Sequence, residues 1–384
     1  MYLQSLKIDG FMSFQSLSWA PGRLNVLIGP NGAGKSNLLR ALELIRASAT
    51  GELRGFVLGK GGMPRLLWGG SAKRMRFEVE TTKAQSSREG DNYQLVLEAM
   101  RDSAGFRVSS ELLVFEGPAP FRMLARDGQS FTVDEGHNEH LSGPHTHLPE
   151  SETVLSMVTA LWTNRAPFLL QQEWRAWTVY QSLQVDEDAP IRRSAVARQE
   201  TRVAYHGQNL VPVLETLYEG EFKAAIDRGM SAAFPNDYQE LMFPKTEPGR
   251  IQLYVRRKHG TRQDSAADLS DGTVRFLLLL AILGTPDPPP LIAIDEPEAG
   301  LHPSMLPIIA EFAAEAAGRT QVILSSHSPQ MLDAFGEDLP TVTAFSWMDD
   351  HTELRTISGE DLRQWVAEYS LGRFIFSGEA AAIL

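Results

Sequence analysis

Apolar and polar side chains alternate over residues 2–9, with Tyr2, Leu3, Leu6 and Ile8 as the apolar positions, and Gly10-Phe11-Met12-Ser13-Phe14 leads into a second extended run. This is the period of a half-buried strand, so the pattern predicts a hairpin that delivers the chain to a short buried strand at residues 24–28. Residues 37–45 then carry apolar side chains at helical spacing. The stretch 51–70 is rich in glycine and interrupted by Pro64, which predicts an irregular connection in which no helix persists. From Arg74 to about Val133, alternating runs at 75–80, 93–100, 106–115 and 121–124 are separated by turn residues such as Glu89-Gly90-Asp91-Asn92 and Asp127-Gly128. That layout describes an antiparallel meander.

Beyond residue 150 the period changes. Val154, Leu155, Val158, Leu161 and Trp162, then Phe168, Leu169 and Trp174, recur at helical spacing, and Trp174 and Trp177 read as a core stripe. Further helices are expected at 210–217 and 222–233, so residues 151–245 form a helical insertion between sheet-forming parts at 1–150 and 246–384. In the last part the pattern predicts a strand at 250–256, an apolar helix from Val274 to Leu283, and strands at 291–296 and 321–324. The tail, with Trp347 and Trp365, is expected to complete the sheet. His137, His140, His145 and His147 fall in a segment broken by Pro and Gly, where no carboxylate or cysteine completes a ligand spacing; a solvated loop is the expected reading.

Composition narrows the class. The 384 residues are 43% apolar and 22% charged, as in an ordinary globular protein with room for two or three subdomains. No apolar run approaches the roughly 20 residues of a membrane span, and the start lacks the basic and apolar segments of a secretory signal. The absence of cysteine rules out disulfides and thiol chemistry and is compatible with the cytoplasm, the expected location. A net charge of −12 argues against a protein that coats nucleic acid over its whole surface. Local basic character remains at Arg192, Arg193, Arg198 and Arg202 and at 250–262, the latter equally readable as a solvated hairpin tip.

The strongest chemical signal is Gly29-Pro30-Asn31-Gly32-Ala33-Gly34-Lys35-Ser36, a phosphate-loop pattern between the predicted strand and helix. Its glycines let backbone N–H groups turn on phosphate oxygens, Lys35 supplies a charge to the β and γ phosphates, and the Ser36 hydroxyl is placed to ligate Mg²⁺. Asn31, Gly32, Ala33, Gly34, Lys35, Ser36 and Asn37 are therefore the expected nucleotide contacts. Residues 291–296 form an apolar strand ending in Asp295 and Glu296, a Walker B pattern in which Asp295 aims at the Mg²⁺ shell and Glu296 reaches a water as general base.

Together with Leu269-Ser270-Asp271-Gly272-Thr273, Glu298-Ala299-Gly300-Leu301-His302-Pro303 and Ser325-Ser326-His327-Ser328, these motifs resemble the ABC-type ATPase head, in the soluble branch similar to RecF, SMC and OLD-family proteins. The resemblance is specific over the first 45 residues and 268–330. It implies an α/β fold with a phosphate-loop mixed sheet, an antiparallel meander and an inserted helical subdomain, the lobes being 1–150 and 246–384. It assigns His327 as a switch histidine at the γ phosphate, and Ser270 and Gly272 as signature residues that cover ATP bound by a second subunit. The departures of Asp271 and Thr273 from Leu-Ser-Gly-Gly-Gln disfavour a transporter subunit. A family glutamine for Mg²⁺ has no clear counterpart, Gln171 and Gln172 falling in a predicted helix. The chain shows no sustained heptads and only 57 residues after His327 in the given sequence, so neither coiled-coil arms nor a nuclease module is expected. The implied cofactors are ATP and Mg²⁺; the implied partners are a second copy in an ATP-dependent homodimer, DNA, and a separate effector protein, with no membrane. The implied function is ATP hydrolysis coupled to a DNA-related process such as repair or anti-phage defence, and the alternative is a nucleotide-sensing ATPase that acts on proteins only.

Overall fold

The computed structural model describes residues 1–70, 72–83, 86–101, 103–117, 120–134, 140–142, 148–160, 165–258, 263–336 and 339–357. The chain runs through β1 (Tyr2–Phe11), β2 (Phe14–Trp19) and β3 (Leu24–Ile28) into α1 (Lys35–Thr50), then the short helices α2 (Leu53–Gly59) and α3 (Met63–Leu66). Six strands follow, β4 (Arg74–Lys83), β5 (Ser86–Ala99), β6 (Phe106–Glu116), β7 (Phe121–Asp127), β8 (Ser130–Asp134) and β9 (His140–Ser142), before α4 (Ala166–Arg175). Next come β10 (Thr178–Tyr180), β11 (Ala195–Val196), α5 (Leu210–Glu219), α6 (Lys223–Ala233), β12 (Tyr238–Met242), β13 (Lys245–Glu247), β14 (Arg250–Ile251), β15 (Tyr254–Arg257) and β16 (Gln263–Ser265). The last stretch holds α7 (Asp271–Gly284), β17 (Leu291–Asp295), α8 (Leu306–Ala317), β18 (Gln321–Ser326), α9 (Pro329–Asp333), β19 (Thr341–Met348) and β20 (His351–Ile357). This mixed α/β chain divides into two compact units: Met1–Trp177 with Thr341–Ile357, and a second whose described part is Thr178–Pro340. The expected helical insertion, 151–245, is distributed over both.

The first unit contains the meander, an antiparallel sheet ordered β2-β1-β4-β5-β6-β7-β8-β9. Leu6 and Ile8 of β1 are buried opposite Val79 and Phe77, while Lys7 faces solvent and bonds Glu78. Leu3 and Leu6 share the buried face despite their odd spacing because the β1–β4 register slips between Leu3 and Ser5. In the same unit β19 lies parallel to β3 and antiparallel to β20, so the chain's last described strands do complete a sheet around the strand ahead of the phosphate loop. Trp174 and Trp177 are buried in contact with each other, and Trp174 meets the edge of Tyr93, as a core stripe requires.

Two expectations for this unit need correction. Residues 151–158 do not form a helix; they make one tight turn, Leu155–Met157, after which Val158 is extended. The reason is local competition for the backbone. Glu111 accepts hydrogen bonds from the N–H groups of Val154 and Leu155, and Gln171 Nε2 donates to the carbonyls of Leu155, Ser156 and Val158, which a continuing helix would have used itself. Conversely, the glycine-rich 51–70 stretch does carry α2 and α3, held by burial of Leu53, Val57, Met63 and Leu66. Leu161, Trp162, His137, His145, His147 and Trp365 lie outside the described residues.

In the second unit β10, β17 and β18 are parallel, with Ile292–Ile294 paired to Val322–Leu324. β17 is apolar and buried from Leu291 to Ile294, and β18 is buried throughout with its apolar part at Val322–Leu324, as parallel strands covered on two faces are. Helix α7 is buried from Phe276 to Gly284 on every side; each of Leu277, Leu278, Leu279 and Leu280 contributes about 1.5–3 kcal/mol by leaving water. Around it pack α5, α6 and α8. The predicted strand at 250–256 is split instead: β14 joins β11 and β13, and β15 joins β12 and β16.

Candidate functional site

The phosphate-loop pattern folds as the turn from β3 into α1, within the first unit. Gly34 caps α1 with φ +107°, and a Cβ there would lie 2.5 Å from Thr352 Oγ1 and 2.9 Å from Ser13 Oγ. Only glycine fits this backbone and this space. Lys35 is 6% exposed, and its Nζ donates to Gly29 O (2.7 Å) and Pro30 O (3.1 Å), so the ammonium is curled into the loop. Asn31 and Gly32 are exposed at the loop's tip, whereas Ala33 is buried, its N–H donating to Pro30 O and its carbonyl accepting from Thr352. Asn37 is engaged at both ends of its amide, by Ser13 (2.8 Å) and Arg40 (2.9 Å). Ser13 and Thr352 are supports that the sequence pattern does not reveal, because they come from the first hairpin and from the far C-terminal strand pair.

The second unit gathers the other motif residues at the ends of β17 and β18. Ser325 Oγ donates to Asp295 Oδ1 and accepts the Glu296 N–H (3.2 Å). Glu296 takes a left-handed backbone, φ +47°, unusual for a side chain of this size and found where a turn carries function. His327 Nδ1 lies 3.3 Å from Glu296 Oε1 and 3.9 Å from Glu298 Oε1. From α7, Arg275 donates to the Glu296 carbonyl (2.7 Å); burial pushes its guanidinium below the usual arginine value, opposed by Glu298, Glu296 and Asp295. Arg275 was legible only as a lone charge in the apolar run 274–283, the kind of residue that must have a partner. Each unit has suitable chemistry by itself: in the first, an ammonium, N–H groups at a helix N-terminus and the Ser36 hydroxyl suit phosphate; in the second, the carboxylate oxygens of Asp295 suit a hard cation such as Mg²⁺.

A family profile described as "AAA domain, putative AbiEii toxin, Type IV TA system" matches residues 24–333 of the 384. The chain belongs to this AAA-domain family. Membership makes it an ATP-binding and ATP-hydrolysing protein of the AAA-ATPase superfamily. No curated protein sequence is significantly similar to it. Among solved structures it is similar to an SmcHead bound to the C-winged helix domain of ScpA (TM-score 0.57, 13% identity, 94% of this chain and 99% of that one). A second is an Smc head domain with an extended coiled coil, bound to the C-terminal domain of ScpA derived from Pyrococcus furiosus (TM-score 0.51, 13% identity, 96% and 99%). At that identity the likeness establishes the fold alone: an AAA-family ATPase domain shaped like SMC heads. Among the described residues no helix is long and apolar enough to cross a membrane.

Two further features of this AAA domain bear on its chemistry. Ser270 is exposed and caps α7, accepting from the Thr273 N–H at 3.2 Å, and its hydroxyl lies 2.9 Å from the Thr273 hydroxyl, which gives the Thr273 departure a local role. Asp271 bonds the buried Arg192, whose guanidinium also donates to the carbonyls of Val185, Ala266 and Leu269. The basic segments, in turn, are largely neutralised internally. Arg193 pairs with Asp188, Arg198 with Glu200, Arg202 with Asp287, Arg256 with Glu240, and Arg257 with Asp237 and Asp264. Residues 259–262 lie outside the described residues. Gln171, committed to three carbonyls, is not presented as a metal ligand.

Proposed function

We propose that this AAA domain is a Mg²⁺-dependent ATPase head of the ABC type, related to RecF, SMC and OLD-family heads, whose ATP-bound form dimerises and gates a partner process. Asn31 to Asn37 hold the triphosphate, with Lys35 turning from its loop carbonyls to the β and γ phosphates; the catalytic set is Lys35, Glu296 and His327. Ser36 and Asp295 would hold Mg²⁺, which supplies charge neutralisation at the phosphates. Glu296 accepts the proton of the attacking water, and His327, beside it, donates to the γ phosphate. Ser270 and Gly272, at the N-terminus of α7, act on ATP bound by the other copy. The observation that carries the reading is the buried Lys35 ammonium, curled onto the carbonyls of Gly29 and Pro30 at a helix N-terminus that only glycine can shape.

Glu296→Gln tests it. The amide keeps the shape but cannot accept a proton, so turnover falls by roughly 10²–10⁴ while ATP still binds, and the dimer accumulates. Asp295→Asn weakens both affinity and rate, and Ser270→Arg keeps ATP binding but blocks dimerisation in sedimentation. Near-parental single-turnover hydrolysis by Glu296→Gln would refute the base assignment.

For the partner there are two readings. DNA is the first, in a repair or anti-phage setting, and the family description naming a toxin–antitoxin system is in keeping with defence. A protein partner is the second, favoured by the internal pairing of the arginines at 193–202 and 256–257. Binding to duplex DNA that weakens steeply with salt supports the first; no salt-dependent binding supports the second.

A further inference from the structure

We propose that Glu298, resting on the ATPase reading above, is a positioning residue that sets the switch segment Ser326-His327 in register with the turn carrying Glu296. Its Oε1 accepts from Ser326 Oγ (2.6 Å) and from the His327 N–H (3.2 Å), and Ser326 Oγ in turn accepts the Ser328 N–H (3.0 Å). One carboxylate oxygen thus organises, directly or through Ser326, three consecutive residues at the end of β18. The turn that carries Glu298 is itself fixed: the Ala299 N–H returns to Glu296 O, the Leu301 N–H to Glu298 O, and Arg275 holds Glu296 O from α7. Movement of either turn is therefore passed to the other through Glu298, and the Glu296–His327 separation of 3.3 Å depends on it.

The second oxygen sets Glu298 apart from a buried carboxylate that is fully satisfied. Glu298 is 8% exposed at its side chain, yet Oε2 is buried with no hydrogen-bond partner among the described residues. Glu111, a buried carboxylate with a purely architectural place in the first unit, uses both oxygens: Oε1 meets Tyr93 and Leu155, and Oε2 meets Val154. An unpaired buried acceptor opposes folding, and Glu152 and Glu173 each leave one oxygen in the same state. At Glu298 only the geometry toward Ser326 and His327 is secured.

Three variants decide the matter. Glu298→Ala removes the acceptor and lowers kcat by roughly 10–100-fold while ATP affinity stays parental. Glu298→Gln keeps an acceptor oxygen for both donors and restores most of kcat, a rescue that loss of charge alone would not allow. Ser326→Ala removes one of the two bonds and gives a smaller drop, and it serves where Glu298→Ala fails to fold. The imidazole signals of His327 in the NMR spectrum, assigned with His327→Gln, shift in Glu298→Ala and Ser326→Ala without nucleotide and return in Glu298→Gln. Parental kcat in folded Glu298→Ala or in Ser326→Ala, or Glu298→Gln as slow as Glu298→Ala, overturns the proposal. Unmoved His327 signals overturn it whether or not the parent hydrolyses ATP, whereas a parent without ATPase activity whose His327 signals do move refutes only the ATPase reading.

Discussion

The loop between β3 and α1 takes its shape from backbone that glycine adopts freely, whereas the turns after β17 and β18 are tied together by hydroxyl and carboxylate side chains. At the loop, Gly34 leaves no room for a Cβ beside Thr352 and Ser13, and Lys35 bonds main-chain carbonyls. At the turns, Ser325 joins Asp295 to the Glu296 N–H, and Glu298 joins Ser326 to His327. The contrast follows from the tasks. Cradling an anion needs N–H groups, which every residue but proline carries, so selection of glycine acts on conformation. Metal binding and proton transfer need particular side chains, so the turns must hold those by other side chains. The first region is therefore vulnerable to added atoms and the second to removed ones.

Gly34→Ala is the sharpest way to break this contrast. A single methyl group meets Thr352 and Ser13 on a left-handed backbone, so stability falls by about 2–4 kcal/mol and ATP binding is lost; denaturant unfolding with a nucleotide titration reads both. A loss below about 1 kcal/mol would show that the loop yields to added atoms. Ser325→Ala, which removes one oxygen, costs about 1.5–3 kcal/mol, the range for a hydrogen bond to a charged group, and slows hydrolysis more than it weakens ATP binding. Gly32→Ala separates strain from crowding: the backbone is again left-handed, φ +82°, but nothing lies within 4 Å of the new methyl, so only about 1–2 kcal/mol is lost. Thr352→Val removes the single bond to Ala33 O from the side-chain support of the loop and costs about 1 kcal/mol.

The smallest effect concerns Glu111, side-chain lacing remote from the motifs. Burial raises its folded pKa above the usual 4.5, against the pull of its bonds to Leu155, Val154 and Tyr93. A raised carboxylate pKa means that the folded state binds the proton more tightly than the unfolded state. Its contribution is therefore fully present below the unfolded value and is lost as pH rises through the folded one. Stability measured from acid upward should fall across that window in the parent, and the same interval should flatten in Glu111→Gln. An unchanged profile would show that the carboxylate's titration does not couple to folding.

Much of this was legible before the fold was known. The meander showed in its alternation because one face of each strand is buried, and the apolar runs Leu291–Ile294 of β17 and Phe276–Leu283 of α7 showed because they are buried all round. Trp174 and Trp177 were readable as core. The misreadings share a cause. At 151–158 the apolar spacing was helical, but Glu111 and Gln171, 44 residues before and 16 after Leu155, took the backbone groups a helix needs. At 192–202 the run of arginines read as local basic character; Arg193, Arg198 and Arg202 are exposed, but Arg192 is buried and the others are paired with acids, one of them Asp287.

By itself the sequence determined which local conformations were open: glycines where the phosphate loop turns, a serine where α7 begins, apolar runs where strands and helices are buried, and acids at the end of β17. These are properties of a residue and its near neighbours, and they survive without the rest of the chain. Only the tertiary structure decided what supports those residues. Ser13 and Thr352 reach the loop from opposite ends of the sequence, Arg192 reaches Asp271 across 79 positions, Ser325 and Ser326 hold the carboxylates of Asp295 and Glu298, and Arg275 holds the main-chain carbonyl of Glu296. Such contacts depend on hydrogen-bond directions accurate to a few tenths of an ångström between segments distant along the chain, and periodicity carries no information about them.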